Sequence, residues 1–236
     1  MWLAGAVLPG GADLTPEEIL ATSDRLRGGH VPGVTWTIRV EARVADEVHT
    51  RDLVVIATRD AWLAEFLKPL KVKGQKMLMR GRNMWFFQPG VSRPVPLSPR
   101  QRLLGEVAYG DIASTNYAID YRGRIVGREE VGGEECYVLD LEATEKNATY
   151  DRIRYWVSTR RLMGLKAEFF AVSGKPLKTA TFEYANSIVF GGQHLPFISR
   201  MQIVDPLKGT DTVLEYTKIK VGVVPAETFD LNLMMR

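Results

Sequence analysis

From Val34 the chain alternates. Trp36, Ile38, Val40, Ala42 and Val44 fall on one side of an extended chain; Thr35, Thr37, Arg39, Glu41 and Arg43 fall on the other. Successive side chains of a strand point to opposite faces, so this period of two marks a strand with one buried and one wet face. The pattern then repeats with short breaks. Residues 52–58 (DLVVIAT) read as a second strand, apolar on both sides, and 61–67 as a third, ended by Pro69. Residues 76–80 and 83–88 flank a Gly81-Arg82 turn and read as a hairpin. Later strands are expected near 121–130, 135–143, 152–158, 164–171, 177–185, 195–204 and 212–221, with turns at Gly132-Gly133, Gly174, Gly191-Gly192 and Gly209. Short sequential connections predict an antiparallel meander.

Two segments interrupt it. Thr15-Pro16-Glu17-Glu18 is a helix start, with Thr15 at the N-cap and Pro16 in the first turn; Gly28-Gly29 stops the helix. In the middle, residues 89–99 hold four prolines and one glycine in eleven positions, which predicts a loop. Helical stretches are expected at 98–104 and 109–117. The whole of 89–119 reads as an ordered insertion, and such insertions are usually functional loops or lids.

The chain has 236 residues, enough for one large β-rich domain over 13–236. Residues 1–12 start apolar (MWLAGAV) and pass to Pro9-Gly10-Gly11-Ala12. They fit either the tail of a secretion signal or a plain terminus. The net charge of +3 is too weak to argue for nucleic acid. The one cysteine, Cys136, sits in a strand pattern and reads as a buried small hydrophobe.

Catalytic patterns are missing from the sequence. His30, His49 and His194 are scattered, without a His-x-x-x-His pair, so no metal site is expected. Neither a Gly-x-Ser-x-Gly elbow nor a phosphate-binding loop appears, and no cofactor is implied. The reading is a non-enzyme. The apolar stripes fit a filled core or the wall of a cavity for an apolar ligand.

The run Asn83-Met84-Trp85-Phe86-Phe87-Gln88-Pro89, then Arg93-Pro94-Val95-Pro96-Leu97-Ser98-Pro99-Arg100-Gln101-Arg102, resembles the signature of the bacterial outer membrane lipoprotein-sorting proteins, within the LolA/LolB-like superfamily. Tyr109-Gly110-Asp111-Ile112 is similar to that family's lid segment. Residues 165–170, 173–179, 208–216 and 225–231 are similar too.

The resemblance implies an α+β fold: one curved antiparallel sheet of about eleven strands, an unclosed half-barrel covered by lid helices. It implies a periplasmic carrier whose cavity shields acyl chains of a lipoprotein or related lipid in transit to the outer membrane. The expected cavity wall is Trp36, Ile38, Val40, Trp85, Phe87 and Trp156; the expected lid contacts are Leu103, Leu104, Ile112 and Tyr117. The rival reading is an interaction subunit beside an inner-membrane transporter, its cavity small or filled, with Arg93, Arg100 and Arg102 facing acidic partners or headgroups.

Overall fold

The computed structural model describes residues 14–234 apart from His30, Ala45, Arg82, Ser92, Ser114, Thr115 and Pro206. The secretion-signal reading of residues 1–12 lies outside the described residues. Helix α1 (Pro16–Arg25) starts on a complete capping box, in which Thr15 and Glu18 each satisfy the other's backbone N–H. Strands β1 (Val34–Val44), β2 (Glu47–Ala57), β3 (Ala61–Lys68), β4 (Lys76–Arg80), β5 (Asn83–Phe87) and β6 (Val95–Leu97) follow. Then come β7 (Arg102–Leu104), β8 (Val107–Ala108), α2 (Tyr109–Ala113) and α3 (Tyr117–Asp120). The second half holds β9 (Tyr121–Val131), β10 (Glu134–Ala143), β11 (Arg152–Ser158), β12 (Gly164–Phe170) and β13 (Pro176–Glu183). It continues through β14 (Asn186–Phe190), β15 (Gln193–Phe197), β16 (Arg200–Asp205) and β17 (Thr210–Val221) to α4 (Leu231–Met234).

Thirteen strands form one antiparallel sheet, in the order β6-β5-β4-β3-β2-β1-β17-β16-β13-β12-β11-β10-β9. It is two meanders joined at the middle, where β1 pairs with β17 and Ile38 lies opposite Tyr216. Strands β1–β6 make a first wing; β17 back to β9 makes a second. The outer strands β6 and β9 do not pair with each other, so the sheet is unclosed. The main core lies on one face of both wings. Trp36, Ile38 and Val40 meet Leu53 and Val55 there, with Tyr155, Phe169 and Leu214 from the second wing.

Four expectations need correction. The sheet has thirteen strands rather than about eleven, and two hairpins, β7-β8 and β14-β15, stand apart from it. The proline-rich segment contributes an edge strand: Val95 and Pro96 face Phe86 and Trp85. An edge strand tolerates proline because only one side of it joins the ladder. Residues 98–104 are a turn followed by β7, not a helix. Gln101 closes that turn on Ser98, and its carbonyl accepts from Tyr109 N–H, so the backbone is committed to a hairpin rather than to helical bonds. The strand expected at 195–204 is two, because β14-β15 folds out of the sheet and β13 pairs directly with β16. Asn186 fixes that fold-back, donating 2.8 Å bonds to the carbonyls of Ile198 and Tyr216.

Candidate functional site

The core face of the sheet is covered by α1, the β7-β8 hairpin, α2 and α3. Alternation in β1 and β2 places Trp36, Ile38, Val40, Leu53 and Val55 under this cover, each at most 1% exposed. The cover supplies Ile19 and Leu20 from α1, with Leu103, Leu104, Val107, Ile112 and Tyr117. The hairpin lies directly on the sheet's centre. Gly105, at its turn, has φ +53°, and a side chain there would collide with Ala42 of β1 and Thr212 of β17.

The cover is tied down by polar bonds. Lys178 and Asp111 form a buried ion pair at 2.5 Å between β13 and α2. Tyr150 Oη donates to the same carboxylate at 2.6 Å, Ala108 N–H at 2.7 Å, and Lys178 Nζ also reaches the carbonyl of Glu106. Glu106 N–H donates to Thr212 Oγ1, and the Glu106 carboxylate accepts from Thr210. Arg100 clamps the Asp151 carboxylate at 2.7 and 2.9 Å. At the far end, Asn116 Nδ2 donates to the carbonyl of Arg59, and Ala118 N–H of α3 donates to Asp24 at 2.8 Å. Burial raises the Asp24 carboxyl to about 7, against the lowering pull of the Ala118 N–H and of Arg27.

A second polar group lies between α1 and the second wing. Ser23 Oγ and Tyr155 Oη are 2.8 Å apart. The Arg27 guanidinium sits between the rings of Tyr117 and Phe182, 4.8 Å from each centroid. Tyr117 also stacks edge-on against Tyr121 and Tyr155. Open clefts flank the cover. One of about 110 Å³ lies where Trp62 and Met79 meet Asn116 and Ile119. Another, of about 290 Å³, is lined by Arg100, Arg102, Tyr150, Lys178 and Lys208.

Of the ten residues expected at a cavity, Trp36, Ile38, Val40, Leu103, Leu104, Ile112 and Tyr117 belong to the covered face. Trp85 and Phe87 lie on the opposite face, in a separate cluster with Leu78 and Phe229. Trp156 is on the opposite face of the second wing, beside Cys136 and Val138. The reason is parity: Met84 and Phe86 take the inward phase of β5, and Tyr155 and Val157 that of β11. Sequence reasoning missed Lys178, Tyr150, Ser23 and Arg27. Lys178 carried a signal, since it stands in phase with Ala180 and Phe182 on the apolar side of its strand; Arg27, beside the glycine stop of a helix, carried none.

A family model described as an uncharacterized protein matches residues 58–236. Among curated proteins none matches. Several solved structures are similar. A LolA superfamily protein from Nitrosomonas europaea is 31% identical with a TM-score of 0.82, covering 93% of this chain and 99% of that one. A DUF1329 family protein from Desulfovibrio piger is 19% identical, TM-score 0.78, covering 92% and 97%. A putative outer membrane lipoprotein-sorting protein domain from Vibrio parahaemolyticus is 22% identical, TM-score 0.76, covering 93% and 98%.

Proposed function

The chain belongs to the LolA superfamily, and from that premise we propose that it is a periplasmic, non-enzymatic carrier that takes acyl chains of a lipoprotein or related lipid onto the covered face of its half-barrel. One observation carries this reading: an apolar wall lies beneath a cover held by hydrogen bonds and ion pairs. Polar ties can be exchanged for water when the cover lifts, while the wall stays built on its strands. Each CH₂ moved from water onto that wall contributes about 0.8 kcal/mol, so even one long acyl chain gives a strong drive to load. Release then needs the cover to return and refill the space with Leu103, Leu104, Ile112 and Tyr117.

Trp36, Ile38 and Val40 are the proposed chain-binding wall, and residues 98–120 the lid. Trp85, Phe87 and Trp156, on the outer face, have no part in it. No helix among the described residues is long and apolar enough to cross a membrane.

A second reading rests on the filled state of the covered face, where cover and wall side chains are packed together. It makes the protein an interaction subunit beside an inner-membrane transporter, with exposed Arg93 and Arg102 touching the partner. Native mass spectrometry of protein purified from a bacterial host separates the two. The carrier reading expects a co-purifying acyl lipid, or uptake of a fluorescent fatty acid, and loss of both in Leu104→Glu, which puts a carboxylate under the lid. A wild-type protein that neither co-purifies with lipid nor takes up fatty acid favours the interaction subunit.

A further inference from the structure

Among the described residues, the covered face keeps buried donor nitrogens without hydrogen-bond partners. Three side chains there are at least 97% buried and keep a nitrogen without a partner: Arg27 through Nη1, Trp36 through Nε1 and Trp62 through Nε1. All three nitrogens are donors. Buried donors are normally satisfied, and each one left unmatched is costly. The largest cost falls on Arg27. Its guanidinium keeps its charge at any working pH, so it cannot escape by losing a proton. Among the described residues it makes no ion pair; the rings of Tyr117 and Phe182 hold it, and the hydroxyls of Tyr117 and Tyr155 lie beside its other nitrogens, leaving Nη1 unmatched. Asp24, one helical turn earlier, has its Oδ2 on the backbone of α3.

Position adds to this. Tyr117, the upper face of the sandwich, comes from α3 in the cover, and Phe182, the lower face, comes from β13. Lifting α3 therefore uncovers the guanidinium while leaving it seated on the sheet. The tryptophan wall begins next to it: the Trp36 ring packs under Gly28, the residue following Arg27. A bound amphiphile with its chain along Trp36, Ile38 and Val40 would bring its head to Arg27.

Resting on the carrier reading, we propose that Arg27 is the head-group anchor of the binding face, and that the ligand is an amphiphile with an anionic oxygen group, a carboxylate or a phosphate, next to its acyl chain. The guanidinium matches either group with two parallel N–H donors. Trp36 Nε1 supplies a neutral donor for a further oxygen.

The test is titration of the full chain, followed by tryptophan fluorescence, with three amphiphiles: palmitate, hexadecanol and lysophosphatidylglycerol. Palmitate should bind at least about tenfold tighter than hexadecanol, the worth of one charge-assisted hydrogen bond. The same gain with lysophosphatidylglycerol assigns the site to anionic oxygen in general; a gain with palmitate alone assigns it to a carboxylate. Arg27→Met should erase the preference and still bind hexadecanol, and Arg27→Lys should keep part of it. A gain with lysophosphatidylglycerol alone assigns the site to a phosphate. Equal affinity of the wild type for hexadecanol and both anionic amphiphiles overturns the anchor and leaves the carrier standing, an outcome that needs no variant to fold. Failure to bind any of the three removes the carrier reading and the anchor together.

Discussion

The two wings of the sheet share one core but differ on both faces. The first wing is apolar inside and, across β3, β4 and β5, outside as well, while β1 keeps a wet outer row. Its inner face holds Trp36, Val55, Trp62 and Phe66, and its outer face holds Leu78, Trp85 and Phe87 beneath Phe229, Leu231 and Met234 of the C-terminal segment. The second wing is more polar outside, apart from the small cluster of Cys136, Val138 and Trp156. Asp140, in the middle of that face, is met by Arg124 and Arg152 at 3.0 and 2.5 Å and by Arg154 at 3.7 Å. Burial alone would raise the Asp140 carboxyl, yet the Arg152 and Arg124 bonds hold it below the ordinary range. The second wing also carries the inner-face partners of polar groups: Lys178, Tyr155 and the Phe182 ring under Arg27. Under the proposed function, the first wing supplies the apolar wall. The other meets the cover through exchangeable contacts, as a wall and a hinge side would divide the work of a carrier.

Breaking the Lys178–Asp111 pair tests that division most severely. Removing one partner of a buried ion pair strands the other charge, at a typical cost of about 3–5 kcal/mol. Asp111→Ala should lower stability to urea by that order. It also orphans Tyr150 Oη and Ala108 N–H, so hydrogen exchange should rise first across residues 98–120. The double variant Asp111→Leu with Lys178→Met should recover most of the loss, since no charge is left stranded. Uniform loss of protection across both wings would show that the pair belongs to the general core and not to the cover.

The outer face of the first wing gives the next largest effect. Leu78 is fully buried against Phe87 and Phe229. Leu78→Ala should cost about 3 kcal/mol, within the usual range for a buried leucine. Its midpoint in urea should fall while fatty-acid uptake by the folded protein stays near wild type, because Leu78 points away from the proposed wall. Loss of uptake at full folding would place ligand on the outer face and reverse the assignment of faces.

How far the sequence foretold this follows from what each wing depends on. Alternation in β1 identified Trp36, Ile38 and Val40 as one face, and the turn glycines located most hairpins. Which face is concave was not legible for β5 or β11, where both phases are apolar: Trp85 and Phe87 alternate with Met84 and Phe86, and Trp156 with Tyr155 and Val157. Parity there is settled by distant partners, the C-terminal segment for β5 and the cover for β11. The β7-β8 hairpin was hidden for a related reason, since Arg102-Leu103-Leu104 has no helix–strand preference until it is laid on Ala42 and Thr212. Arg27 could not be found from its neighbours in sequence, because its burial depends on Tyr117 and Phe182, far along the chain.

Acidity probes the seam between α1 and α3. Asp24 has its carboxyl raised to about 7 by burial, with Arg27 and the α3 backbone pulling the other way and Asp120 adding to the rise. The folded chain therefore holds this proton more tightly than the unfolded one. Its contribution to stability is fully present below the unfolded value near 4 and is lost as pH rises through about 7. At about 1.4 kcal/mol per pH unit up to the folded value, wild type should lose about 2–3 kcal/mol relative to Asp24→Asn between pH 5 and pH 8. Urea denaturation at the two pH values measures it. A difference independent of pH would mean that Asp24 does not titrate on unfolding in this range.

The smallest effect is expected on the wet face of the second wing. Arg128 and Glu135 pair across β9 and β10 at 3.3 Å, both about half exposed. Screening by water and the entropy of two long side chains leave such pairs little net value, so Arg128→Ala should change stability by less than about 0.5 kcal/mol. Arg152→Ala removes two bonds from the buried Asp140 and should cost more, about 1–2 kcal/mol, because Arg124 and Arg154 remain to share the carboxylate. The contrast within one face matters more than either value. It would show that this face is held by a single shared carboxylate, with its outer charges serving to keep the edge strand β9 wet and unpaired. Equal effects at the two arginines would instead make the whole face one cooperative ion-pair network.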